Sequence, residues 1–323
     1  MSIFYIFIFL ACCGVLYLSG KWIVAGLMRI ARYFGWREFV VAFIVMAFAA
    51  SLPNLFVGIT SALHKVPQLS FGDIAGNNLV ALTIGVGLAV LFTKGGIPVE
   101  SRTVQTTATF VIFSAILPLL LILDGKLSRV DGVLLIGLFI FYLCWLFSKK
   151  ERFTRIYDEH KTERIGVSVR EFKIFLKDIG KVIAGLVLLI FAAQGIVISA
   201  QFFAQILNIS IILVGLLITG VGNALPEVYF AVASAKKEET WMILGNLMGA
   251  VIVPATLVLG IVALIYPIEV QDFSPFAIAR VFLIFSALFF FFSARTGRKI
   301  TKKEAIFLTA IYFLFVICQL LIK

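Results

Sequence analysis

One stretch of this chain is written twice, 173 residues apart and without a gap. Residues 41–91 align with 214–264, so that Val41, Leu52, Pro53, Ser61, Ala62, Gly72, Gly76, Val80, Thr83, Gly87 and Leu91 recur as Val214, Leu225, Pro226, Ser234, Ala235, Gly245, Gly249, Val253, Thr256, Gly260 and Leu264. Eleven identities in 51 positions mark a duplication rather than a shared apolar composition. Each copy is a pair of hydrophobic segments interrupted by Pro and Gly. Such a pair, found at corresponding places in two halves, predicts a secondary carrier with its site between the repeats.

The rest of the chain fits a body that lives in lipid. Hydrophobic residues make up 62% of it, charged residues 14%, and the mean hydropathy is +1.09. A soluble protein of this length needs more polar surface than that. Runs of about 20 apolar residues predict ten membrane spans, at 2–19, 38–63, 70–93, 103–123, 130–148, 179–206, 209–235, 241–267, 273–294 and 304–322. The fold class expected is therefore an all-α polytopic membrane protein. The first run lacks the basic start of a signal peptide and reads as a true first helix.

Ten spans divide into a five-span half at 1–148, a basic connector at 149–177 and a second five-span half at 178–323. Five is odd, so the second copy must insert upside down relative to the first. Two interlocked halves of opposite orientation form one membrane domain, the arrangement that permits alternating access. If the connector is cytoplasmic, every Lys and Arg except Lys65, Lys126, Arg129, Arg280 and Lys323 falls on the inner side. The positive-inside rule then places the amino terminus outside a cell membrane. The net charge of +11 reads as attraction to an anionic inner leaflet. No basic patch with interleaved aromatics suggests nucleic acid.

Polar segments carry little chemistry. The connector reads as a solvated stretch on the membrane surface, since Asp158, Glu159 and Glu163 lack the dense acidic loop of a calcium site. Cys12, Cys13, Cys144 and Cys318 fall inside predicted spans, where thiols pack as small apolar groups. His64 and His160 lie near loops, Arg280 reads as a side chain snorkelling to the interface, and no phosphate loop or Ser/His/Asp set is present. Neither an enzyme nor a resident cofactor is expected.

The chemistry is in the repeats. Gly220-Val221-Gly222-Asn223-Ala224-Leu225-Pro226-Glu227 puts a carboxylate inside an apolar span. A central charge costs roughly 2.5 kcal/mol or more in lipid, so such a group faces a cavity and a partner. Pro226 clashes with the carbonyl four residues back and frees the oxygen of Gly222. That oxygen, the Asn223 amide and Glu227 are hard donors one helical turn apart, suited to sodium, calcium or a proton. Pro53 frees the oxygen of Ala49 in the same way, beside Ser51 and Asn54. On the next span Asp73 and Asn77 share a face, where they can add a carboxylate and an amide. A lone buried glutamate also suits proton coupling, because proton and cation compete for the same oxygens.

Ala49-Ala50-Ser51-Leu52-Pro53-Asn54 and Gly222-Asn223-Ala224-Leu225-Pro226-Glu227 are each followed about twenty residues later by a G-[DN]-x-x-G run. This pattern resembles the two α-repeats of the sodium/calcium exchanger (Ca2+/cation antiporter) superfamily, and the ten-span layout extends the resemblance to nearly the whole chain. It implies inverted repeats, a pathway lined by spans two, three, seven and eight, and exchange of calcium for sodium or protons. It also implies an acid after both Leu-Pro pairs, where this chain has Glu227 in one and Asn54 in the other. Ala250, Val251 and Pro254 stand where that family carries polar side chains, and Ala81 stands where it often has an amide. A dehydrated divalent ion needs more than one compensating charge, and Asp73 is the residue able to supply the second. The alternatives are a carrier of another cation or small solute on the same fold, and a degenerate homologue that does not transport.

Overall fold

The computed structural model describes residues 2–33, 48, 50–99, 102–148, 169–238, 240–270 and 274–321. These form ten helices in sequence order. They are α1 (Ser2–Tyr33), α2 (Leu52–Leu63), α3 (Pro67–Val80, continuing through Ala81–Gly85 and Val86–Phe92), α4 (Arg102–Leu121) and α5 (Arg129–Ser148) in the first half. The second half holds α6 (Val169–Leu207), α7 (Ile211–Val214, Gly215–Thr219 and Gly220–Lys236), α8 (Thr240–Val253, Pro254–Val258 and Leu259–Ile265), α9 (Ser274–Arg295) and α10 (Lys302–Leu321). Eight of them are long and apolar enough to cross a membrane. The other two are the short apolar α2, whose predicted span runs back into residues outside those described, and the 20-residue α10. The fold is thus the ten-helix membrane body expected, built as two inverted five-helix repeats.

Two boundaries differ from the hydropathy reading. Helix α1 continues past residue 19 to Tyr33, and α6 starts at Val169, so residues 169–177 of the predicted connector are helical. Hydropathy ends a span where Lys and Arg begin, whereas a helix continues as long as its backbone bonds are made.

The duplication is visible in backbone detail. Helices α3 and α8 each contain one π-helical turn, at Ala81–Gly85 and Pro254–Val258, which are equivalent positions of the repeat. At each turn the repeated threonine donates its hydroxyl proton to the carbonyl four residues back, Thr83 to Leu79 and Thr256 to Ile252. Helix α7 has a third such turn at Gly215–Thr219, with Thr219 bonded to Gly215. Gly87 lets α3 approach Ala305 and Thr309 of α10, and its repeat mate Gly260 lets α8 approach Gly132 and Ile136 of α5. Short strands close both faces. Ile97–Pro98 (β1) pairs antiparallel with Lys299–Ile300 (β4), and Lys126–Leu127 (β2) with Ile268–Glu269 (β3), so each pair takes one strand from each half.

Helices α1 and α6 form a long antiparallel pair. Tyr5 stacks on Phe202 with centroids 3.9 Å apart, Phe9 meets Phe203 edge to face at 5.7 Å, and Gly185 and Gly26 bring the backbones together further along. A two-point ion pair ends it, with Arg29 Nε and Nη2 each 2.7 Å from an Asp178 oxygen. The side chain of Asp178 is 4% exposed and that of Arg29 42%. Removing either partner therefore has unequal consequences. Asp178→Ala leaves a solvated guanidinium and is expected to cost about 1 kcal/mol, whereas Arg29→Ala strands a buried carboxylate and is expected to cost about 3 kcal/mol. Thermal unfolding of the two variants in detergent checks the order.

Candidate functional site

The centre of the body is polar because three helices, α2, α3 and α7, bring polar side chains to one place and α8 adds a backbone carbonyl. Helices α3 and α7 run parallel in contact, with no side chains between them at Gly72, Gly76, Gly215 and Gly220. A Cβ on Gly72 or Gly76 would collide with the carbonyl oxygen of Ile212 or Leu216, and one on Gly220 would lie 2.6 Å from that of Asp73. This approach turns Asp73 and Asn77 of α3 toward Thr219, Asn223 and Glu227 of α7, which recur every fourth residue and share a face. All five are buried, Asp73 and Asn77 completely.

The contacts form two layers one helical turn apart. In the first, Asn223 Nδ2 donates to Asn54 Oδ1 at 3.0 Å and to Asp73 Oδ1 and Oδ2 at 2.9 and 3.1 Å. The Thr219 hydroxyl donates to the Gly215 carbonyl at 2.9 Å and lies near the Asp73 carboxyl. In the second layer, Asn77 donates its amide to the Ala250 carbonyl of α8 at 3.1 Å, with the Glu227 carboxyl close by. Glu227 Oε2 and Asn77 Oδ1 are buried without a hydrogen-bond partner. Asn77 and Ala250 are equivalent positions of the two copies, so this bond crosses the pseudo-twofold axis.

Neither carboxyl is in an ion pair with a described residue. Those found among the described residues join Arg29 to Asp178 and Lys126 to Glu269, away from this cluster. The surroundings of Asp73 and Glu227 are amides, hydroxyls and carbonyls. The two acids are also not repeat mates, because Asp73 corresponds to Asn246 and Glu227 to Asn54. Each copy contributes one carboxyl, from a different helix of its pair.

The structure therefore brings together Asn54, Asp73, Asn77, Asn223 and Glu227 of the residues expected from sequence. Ser51 is buried at the start of α2, one turn before Asn54. Gly222 turns toward Phe9 and Cys13 of α1. Pro226 stands inside α7, whereas Pro53 occupies the first turn of α2, and Ala49 lies outside the described residues. Two participants were not anticipated, Thr219 and the carbonyl of Ala250. The spacing of Thr219, Asn223 and Glu227 at four residues was a signal for the first; nothing in an alanine side chain announces the second. The side of Asn223 turned toward Asp73 and Asn54 is its N–H group and not its oxygen.

Comparison with known proteins agrees with this architecture. The model of the sodium/calcium exchanger protein family matches residues 4–148 and 178–321, the two halves without the connector. The chain is 24% identical over 330 residues to the sodium/calcium exchanger MaX1 of Methanosarcina acetivorans, covering 93% of each. It is 28% identical over 264 residues to the inner membrane protein YrbG of Escherichia coli, covering 80% of this chain and 79% of that protein. A solved structure of the sodium-calcium exchanger NCX_Mj superimposes with a TM-score of 0.63 at 26% identity over 98% of both chains. With both repeats matched, the chain belongs to the sodium/calcium exchanger protein family, whose members are membrane cation transporters and not enzymes.

Proposed function

We propose that this protein is a secondary cation antiporter that exchanges Ca2+ for Na+ or H+ by alternating access. The observation that carries this reading is the pair of buried carboxyls, Asp73 and Glu227, surrounded by neutral polar groups and, among the described residues, without a cationic side chain in ion-pair contact. Two such groups at the midplane demand compensation that the protein itself withholds. A mobile cation or protons provide it, and exchange between them is transport.

In this reading Glu227 and Asp73 supply the charge, Asn54 and Asn77 supply amide oxygens, and the carbonyl of Gly222 with the Ser51 hydroxyl completes the shell. Asp73 takes over the charge that an acid at position 54 would have provided. The amino terminus lies outside a cell membrane and the 149–177 connector inside, with the anionic inner leaflet as its neighbour. The name of MaX1 as a sodium/calcium exchanger supports the choice of ions.

Radiolabelled calcium uptake into sealed proteoliposomes, driven by an outward sodium or an outward proton gradient, tests this directly. Uptake with either gradient is expected, and the effective gradient names the coupling ion. Folded protein that moves no calcium under both gradients would return the choice to another cation, another solute or a scaffold role.

A further inference from the structure

Asn223 holds a position that a transported cation would need. Its Nδ2 lies 2.9–3.1 Å from three oxygens, both of Asp73 and the amide oxygen of Asn54. An amide nitrogen has two protons, so one of them is shared between acceptors. Three acceptors around one nitrogen also fix which way the amide points, since its oxygen in that place would face three other oxygens. The N–H group thus sits where the lone pairs of Asp73 and Asn54 converge, presenting positive hydrogen to a carboxylate as a cation would.

We infer that Asn223 is a tethered placeholder, an N–H group that satisfies Asp73 and Asn54 and must be pushed aside when a cation binds there. The inference rests on the exchange reading above and sharpens it. Lone pairs engaged by N–H donors are not free for a metal ion, so the two compete. The device keeps the Asp73 carboxyl hydrogen-bonded while the carrier has no ion in this layer, and it weakens the ion that arrives, which favours release. In the second layer one oxygen of the acid, Glu227 Oε2, is buried with no donor on it among the described residues. The repeat mate of Asn223 explains the asymmetry, because position 50 is Ala and brings no amide to the corresponding point.

The placeholder role and an ordinary ligand role predict opposite signs. Removing an oxygen ligand weakens cation binding; removing an N–H competitor strengthens it. The test is thermal unfolding of the full chain in detergent, titrated with NaCl or CaCl2 against choline chloride at equal ionic strength, for the wild type, Asn223→Ala and Asn223→Ser. Both variants are expected to unfold at a lower temperature in choline and to reach half of their cation-induced stabilisation at a concentration about tenfold lower than the wild type. Ser keeps a polar group in the space and serves if the Ala variant folds poorly. An unchanged or higher half-saturating concentration in the variants would overturn the inference and leave cation binding intact. A wild-type chain whose unfolding ignores both cations would remove the exchange reading itself, and the placeholder with it.

Discussion

Replacing Glu227 with Gln is expected to abolish cation exchange in sealed vesicles while leaving a folded protein. Gln keeps the shape of the side chain and one oxygen but removes the charge from the layer where Asn77 and Ala250 meet. The loss should exceed about 100-fold, because two factors of ten correspond to roughly 2.7 kcal/mol, well within what one compensating charge is worth to an ion stripped of water. The same substitution tests proton coupling. With Glu227 present, lowering the pH loads the carboxyl with a proton and displaces the cation. Cation binding therefore weakens toward acid in the wild type, and binding left in Glu227→Gln should lose that slope. A variant that exchanges at the wild-type rate would move the site elsewhere in the molecule.

Substituting Gly76 with Ala is expected to be among the more damaging single methyl additions at the described glycines. Its Cβ would enter the space of the Leu216 carbonyl, which belongs to the α7 backbone and cannot rotate away as a side chain would. Overpacking against side chains typically costs 1–3 kcal/mol, and the upper end of about 3 kcal/mol is expected here. The helices must separate, and the contacts between Asp73 and Asn223 lengthen with them. Gly14→Ala is the control, because nothing lies within 4 Å of a Cβ there, and it should change stability by no more than about 0.5 kcal/mol. Comparable melting temperatures for the two variants in detergent would mean that α3 and α7 are held less closely than described.

Much of this was legible in the sequence for a definite reason. A gapless duplication with an odd number of spans in each half leaves inversion as the only consistent arrangement, and Pro226 beside Glu227 in an apolar run marks a midplane group. Asp73 was legible as a candidate by its charge alone. Its neighbours were not, since a contact with Thr219 or Asn223 depends on the two helices running in parallel at glycine-to-glycine distance. The π-helical turns were hidden as well. An apolar stretch such as Ala81–Gly85 satisfies α and π spacing equally, and the turn shows only when the hydroxyl of Thr83 is found on the carbonyl of Leu79. The orientation of Asn223 is set by which atoms surround it, which no motif encodes.

The 150 residues that separate Asp73 from Asn223 along the chain have a consequence during synthesis. Helix α3 leaves the ribosome long before α7 exists, so the groove that shields Asp73 is made of protein still to be translated. At about 5–20 residues per second the nascent chain waits on the order of 8 to 30 s with this carboxyl lacking its partners. The most hazardous moment for the molecule is therefore one of biogenesis. Until the second copy arrives, the insertion machinery or a neighbouring helix has to shelter the charge that the finished carrier will use.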